Sequence, residues 1–194
     1  MRLHCLLLAM LLLTACAARG PRVDAPVAEQ QLGGRESALH AQQGFLLTGR
    51  LGISNGKDAG SGQFRWQQQG RRFDFQLTVT VTGDRFRLEG EPGRVRLTDA
   101  KGATVEGFDA SELLAERTGW QIPVEQLGFW VRAMRAPGSK ADTRFADDGR
   151  LEQLQQSGWT ISYRRWNAGA PALPLMLVAS RGQDRVRVKV RAWQ

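Results

Sequence analysis

Phe73-Asp74-Phe75-Gln76-Leu77-Thr78-Val79-Thr80-Val81 alternates apolar and polar residues without a break. Successive side chains of a β-strand point to opposite faces, so this run presents five apolar groups on one face and four polar groups on the other. Weaker alternations flank it on both sides. They are Gly62-Gln63-Phe64-Arg65-Trp66, Phe86-Arg87-Leu88, Val95-Arg96-Leu97, Trp159-Thr160-Ile161-Ser162-Tyr163 and Val186-Arg187-Val188-Lys189-Val190-Arg191. Turn signals separate them: Gln69-Gly70, Thr82-Gly83-Asp84, Glu91-Pro92-Gly93, Asp99-Ala100-Lys101-Gly102, Asp148-Gly149 and Ser157-Gly158. Regular spacing of this kind predicts a mostly β protein, an antiparallel meander with one apolar and one polar face.

Two helical patterns interrupt the meander. Asp109-Ala110-Ser111-Glu112 is an N-cap with a carboxylate at N3, followed by Leu113 and Leu114, with Gly119 as the stop. Pro123 then suits a first helical turn, and Leu127, Trp130, Val131 and Met134 fall at i, i+3, i+4 and i+7, a single helical face running up to Ala136-Pro137-Gly138. Such short helices cannot join the sheet but can cover it. Nearer the N-terminus, Val27 to Gln43 is rich in Ala, Glu, Gln and Leu, which predicts a helix, interrupted or frayed at Gly33-Gly34. Its apolar marks, Val27, Leu32, Leu39 and Ala41, make a thin stripe suited to packing on a sheet.

The first residues are of another kind. Met-Arg-Leu-His begins a short basic region, and Leu6 to Leu13 is apolar but too short for the ~20 residues of a stable membrane-spanning helix. Leu13-Thr14-Ala15-Cys16 resembles the bacterial lipobox, after which Cys16 becomes a lipidated N-terminus; the alternative is an ordinary secretion signal with a chance cysteine. The resulting division is a leader over 1–15, a lipidated Cys16 with a flexible tether over 16–26, and a single domain over 27–194. Ala17 after the cysteine points to the outer membrane in the lipoprotein sorting rule. Stable anchoring requires more than one acyl chain.

Composition excludes several chemistries. The 194 residues carry a net charge of +8, and 26 basic and 19 acidic residues remain without the leader. Cys5 and His4 lie in the leader, so the domain has no cysteine pair for a disulfide, and His40 is the one histidine left for metal or triad chemistry. No nucleophile elbow or nucleotide loop is present. The carboxylate pairs Glu112/Glu116 and Asp147/Asp148 stand on an exposed helical face and in a turn, with no nucleophile beside them.

The apolar sheet face is aromatic: Phe64, Trp66, Phe73, Phe75, Phe86, Trp159 and Tyr163. Periodicity leaves open whether it lines a filled core or a cavity. A family resemblance bears on this. Glu116 to Val131 (ERTGWQIPVEQLGFWV) resembles the second half of the LolB family of outer-membrane lipoprotein receptors. So do Leu46-Leu47-Thr48-Gly49-Arg50-Leu51, Gly158 to Tyr163, Leu173-Pro174 and Val186 to Trp193, in family order behind a lipobox.

The resemblance implies an open antiparallel half-barrel of about 11 strands with a helical lid over an apolar cavity. It implies that acyl chains of other lipoproteins enter this cavity from a LolA-like periplasmic carrier and pass to the outer membrane. The expected wall residues are Phe64, Trp66, Phe75, Leu77, Trp159, Ile161 and Tyr163, and the expected lid residues Leu113, Leu114, Leu127, Trp130 and Met134. The family's membrane-inserting loop carries Leu in a Pro-Leu-Gly setting; Thr80-Val81-Thr82-Gly83 aligns with it, so Val81 is either that residue or the last of a strand. The expected partners are the carrier, lipoprotein acyl chains and the outer membrane through a lipid anchor. No cofactor, metal, catalytic residue or nucleic acid is expected, and the chain is expected to be a monomer.

Arg185, Arg187, Lys189 and Arg191 share one strand face and, with Arg94 and Arg96, suggest a positive surface. One reading is a solvated face that keeps a sheet edge from pairing. Another is attraction to an acidic carrier or to anionic headgroups. The alternative to a transfer protein is a structural or generic lipid-binding lipoprotein of the outer membrane.

Overall fold

The computed structural model describes residues 22–194. These contain three helices: α1 (Ala25–Ala41), α2 (Ala110–Thr118) and α3 (Val124–Trp130). The strands are β1 (Gly44–Ser54), β2 (Ala59–Gln69), β3 (Arg72–Val79), β4 (Arg85–Glu91), β5 (Arg94–Thr98), β6 (Thr104–Gly107), β7 (Ala141–Phe145), β8 (Leu151–Gln156), β9 (Trp159–Trp166), β10 (Pro174–Arg181) and β11 (Asp184–Trp193). They form one antiparallel sheet in the order β6-β5-β4-β3-β2-β1-β11-β10-β9-β8-β7. The pairing of β1 with β11 joins the early and late hairpins into a single sheet. The end strands β6 and β7 do not meet, so the sheet is an unclosed half-barrel. The chain must pass from one free edge to the other between them, and α2 and α3 lie in that connection. Topology alone therefore places these helices across the open side.

The alternation of β3 shows why the sheet curves around a core. Phe75 and Leu77 are buried and Phe73 and Val79 half-buried, while Asp74 on the opposite face pairs with Arg87 at 2.8 Å. Phe73 lies directly across from Gly90, where any Cβ would collide with its ring. The strand stops at Val79, so four of the five alternating apolar residues face inward rather than all five. Val81 stands beyond the strand in the β3–β4 turn, 91% exposed. Gly83, at φ 74°, makes that turn sterically possible.

The strands present two ends. Gln69 pairs with Arg72 at one end, which also holds the start of β1, the β4–β5 turn and Phe108 after β6; Gly62 pairs with Val79 at the other, where Val81 projects. Helix α1 crosses the first end and runs unbroken through Gly33-Gly34, contrary to the expected interruption. Both glycines face open space, and each costs ~1 kcal/mol relative to Ala. Burial of Ala28, Leu32 and Leu39 on the inner side offsets this. Val27 and Ala41, expected in the stripe, are exposed.

The late strands β7, β8 and β10 escape a simple alternation rule, because irregular registers at Arg144/Phe145 and Pro174/Met176/Leu177 break it. Strand β11 sits at the centre of the sheet, between β1 and β10. The reading of its basic residues as protection of a sheet edge is therefore overturned; the edges are β6, covered by α2, and β7, which α1 touches. Residues 22–194 share one continuous core and a sheet whose strands all pair within it, so this span can fold without the residues before it.

Candidate functional site

The roof is built from short, mutually dependent helices. Asp109 caps α2 by accepting from the Ser111 and Glu112 N–H groups at 2.7 and 3.0 Å. The carboxylate that accepts from Ala110 N–H, at 2.9 Å, comes from α3: it is Glu125. Glu125 also accepts from Ser111 Oγ, and Ser111 Oγ accepts from Val124 N–H at 3.0 Å. The two N-termini thus clasp each other, satisfying donors that helices this short would otherwise leave exposed. Gly119 ends α2 in the left-handed conformation at φ 72°. Trp120 then lies against Gly60 of β2, a contact that a Cβ there would prevent.

Helix α3 ends at Trp130, earlier than the sequence pattern suggested. Ala133 adopts a positive φ of 53°, and this turn, not a further helical turn, carries Met134 into the core. Beyond it, Gln156 of β8 is the buried polar residue that fixes the roof; it is 2% exposed. Its Oε1 accepts from Trp130 Nε1 at 3.0 Å and Ala136 N–H at 2.9 Å, and its Nε2 donates to Ala136 O at 2.7 Å. Trp130 packs on Trp159 with ring centroids 6.3 Å apart.

Helix α1 ties to the same turn. Arg35 donates to the carbonyls of Ala133 (2.8 Å), Arg132 (2.5 Å) and Ala172 (2.9 Å), and lies over Trp166. Burial lowers its pKa to about 10, which leaves it cationic at neutral pH. Arg135 bridges Glu29 and Glu36 of α1.

At the first end of the strands the roof is open. Between α3 and the rim of β1–β5 opens a cavity of about 900 Å³, near the top of the ~300–1,000 Å³ range of ligand sites. Its surface is mainly apolar, from Phe45, Trp66, Phe73, Val95, Val124 and Phe129, and polar residues that include His40, Gln68, Arg71, Glu91 and Arg132 complete the lining. Gly128 lets α3 rest on Trp66: a Cβ there would lie 3.2 Å from the indole. Arg132 donates to Gly128 O at 3.3 Å and lies 5.1 Å from the Phe45 ring centre; burial lowers its pKa.

All seven expected wall residues, Phe64, Trp66, Phe75, Leu77, Trp159, Ile161 and Tyr163, are buried on the concave face. Trp66 lines the mouth; the other six lie deeper, packed beneath the roof. Their rings meet in pairs, Phe64 with Phe75 at 5.8 Å and Trp66 with Phe75 at 5.3 Å. The Tyr163 hydroxyl has no hydrogen-bond partner among the described residues, and burial raises its pKa. The expected lid residues Leu113, Leu114, Leu127 and Trp130 pack from the two helices into the core shared with the sheet, and Met134 is buried in the turn after them. Cys16 lies outside the described residues.

The sequence reading missed the rim. Phe45, Val95, Phe108, Phe129 and Arg132 line the mouth without standing in the strong alternation. Phe108 carried a usable signal. An apolar residue just before an N-cap usually packs on the fourth helical residue, here Leu113. Instead Leu113 packs on Gly107 and Phe108 is 88% exposed at the lip of the cavity.

An open antiparallel sheet, roofed by the connection between its own edges and apolar inside, defines a roofed half-barrel with an apolar space between sheet and roof. The family model described as "Outer membrane lipoprotein LolB" matches residues 43–193. The chain is 39% identical over 172 residues to the outer-membrane lipoprotein LolB of Xanthomonas campestris, covering 86% of this chain and 79% of that protein. It is 39% identical over 189 residues to that of Alkalilimnicola ehrlichii, with coverage of 96% and 93%, and 38% identical over 155 residues to that of Marinobacter nauticus, with coverage of 77% and 74%. This chain belongs to the LolB family. In fold it is also similar to the crystal structure of a DUF1329 family protein from Desulfovibrio piger, with a TM-score of 0.56 at 9% identity over 89% of this chain and 93% of that one.

Proposed function

We propose that this chain is an outer-membrane lipoprotein receptor that takes lipoproteins from a LolA-like carrier, shelters their acyl chains between sheet and roof, and releases them into the outer membrane. The observation that carries this reading is the apolar mouth of about 900 Å³ between α3 and the β1–β5 rim. Each methylene kept from water is worth ~0.8 kcal/mol, so an acyl chain of about 15 methylenes would face a cost of roughly 12 kcal/mol in crossing the periplasm exposed. A handover between shielded sites avoids that cost and needs no covalent chemistry. It needs the receptor to hold the chains more tightly than the carrier and less tightly than the bilayer.

In this reading the chain enters past Phe108 and Phe45, displaces α3 from Trp66, and reaches the deeper wall of Phe64, Phe75 and Leu77. Aromatic rings with Leu and Met around them accommodate hydrocarbon without requiring one shape. Val81, bare at the tip of the β3–β4 turn, suits insertion into a membrane. Lipidation of Cys16 would hold the receptor there. A single copy carries both sheet and roof, so a monomer suffices.

The test uses residues 22–194. A hydrophobic fluorescent probe should bind saturably and be displaced by fatty acid; absence of saturable binding overturns the reading. Val81→Glu should keep probe uptake and lose delivery to liposomes, measured by transfer of a labelled lipoprotein. Normal delivery by that variant would remove Val81 from the mechanism.

A further inference from the structure

The outer face of the sheet divides sharply by charge. On β3–β6, Arg87 pairs with Asp74 at 2.8 Å, and Arg94 and Arg96 both pair with Glu106 at 2.6 and 2.9 Å. Arg94 and Arg96 are therefore ion-paired, sharing the one Glu106 carboxylate, and β1 to β4 separate them from β11. They do not extend the positive surface suggested by the sequence. Around β1 and β11 the pattern reverses. Arg50, Arg65, Arg165, Lys189 and Arg191 line a concavity of about 620 Å³ that no acidic side chain enters. None of the five has an ion-pair partner among the described residues. Arg50 and Lys189 are direct cross-strand neighbours. Like charges so placed destabilise a sheet, and nothing in the packing of this fold requires them.

We propose that this face is a docking surface for the phosphate groups of an anionic phospholipid bilayer, working together with the exposed tip at Val81. Two observations favour lipid over an acidic protein. First, the cationic face is joined to the tip: Arg50 Nη2 donates to Thr80 Oγ1 at 3.4 Å, and Thr80 N–H donates to Ser61 O at 2.8 Å. Val81 is the next residue, 91% exposed. An apolar group flanked by unpaired basic residues is the arrangement that binds anionic interfaces, by insertion and by attraction together. Second, the mouth opens at the opposite end of the strands, so a carrier delivering chains there would meet the rim of Phe45 and Phe108, not this face. The proposal rests on the receptor reading for what is delivered, while the lipid contact itself stands on charge and geometry.

The test is cosedimentation of residues 22–194 with vesicles of phosphatidylcholine alone or with added phosphatidylglycerol. Binding should require the anionic lipid and weaken with salt. The double variant Arg50→Gln, Lys189→Gln should lose about 25-fold in vesicle partitioning, or about fivefold per charge, the factor equivalent to ~1 kcal/mol per basic residue at an anionic surface. Its thermal midpoint should be unchanged or raised, since a like-charge pair is removed. Arg94→Gln, Arg96→Gln changes the net charge equally and should lose no more than about twofold. Equal binding to neutral vesicles, unaltered binding of the first variant, or equal losses in both variants would overturn the proposal. So would capture by an acidic polypeptide such as polyglutamate without vesicle binding. Probe binding at the mouth, measured on the same samples, keeps the receptor reading separate: its failure leaves the vesicle comparison decidable.

Discussion

The roof meets the sheet in opposite ways on its two flanks. Over β8 and β9 it is locked: Trp130, Ala136 and Gln156 exchange three buried hydrogen bonds, and Trp130 packs on Trp159. Over the rim of β1 to β5, α3 rests on Trp66 through Gly128 and leaves a cavity of about 900 Å³ beside that contact, while α2 and Trp120 pack on the sheet away from the rim. The lesson is mechanical. A lid fixed at both flanks would not admit a chain, and one fixed at neither would not keep a defined interior. Pinning the end of α3 on one side concentrates freedom on the other, where movement breaks few polar contacts.

The largest effect should come from breaking the locked flank. Gln156→Ala would strand the Trp130 and Ala136 N–H groups and the Ala136 carbonyl in the core. At ~1–3 kcal/mol per unsatisfied group, partly relieved by relaxation, the expected loss is about 3–4 kcal/mol in urea unfolding. A loss below about 1 kcal/mol would mean that Gln156 does not pin the roof. Arg35→Ala should be next. It removes the links from α1 to three carbonyls, for an expected cost of about 2 kcal/mol, with faster hydrogen exchange along α1 and little change over β2–β5.

The loose flank should behave differently. Phe108→Ser, at a position 88% exposed, should leave stability within about 0.5 kcal/mol. Probe affinity should fall about fivefold as a ring that an acyl chain would cover is lost. Unchanged affinity would remove Phe108 from the entrance. The smallest effect is expected for Tyr163→Phe. This hydroxyl is buried without a partner, so its removal should be neutral or stabilise by up to about 1 kcal/mol. Clear destabilisation would reveal a partner for it, such as an ordered water.

Legibility of the molecule followed the range of the interactions involved. The β3 alternation, the Asp109 cap and the Gly119 stop are consequences of neighbours within a few residues, and they stand where expected. The seven wall residues could be chosen by parity and all point inward. Met134 was misplaced on a helix because i+7 spacing continues past Trp130 on paper, whereas the chain turns at Ala133. Gly33-Gly34 looked like a break because propensity omits the tertiary anchors on either side. Arg94 and Arg96 looked free because Glu106, their partner, lies on the neighbouring strand.

Taken alone, the sequence determined a mostly β chain with an aromatic sheet face and two covering helices, since period and caps are local properties of the chain. Tertiary structure decided where the interior is filled and where it opens, which arginines are ion-paired, and at which end of the strands Val81 and Phe108 stand. Those outcomes depend on groups brought together from distant parts of the sequence: Gln156 beneath Trp130, Gly128 on Trp66, Lys189 beside Arg50. Their separations arise only when β1 pairs with β11 and the connection between the free edges folds back over the sheet.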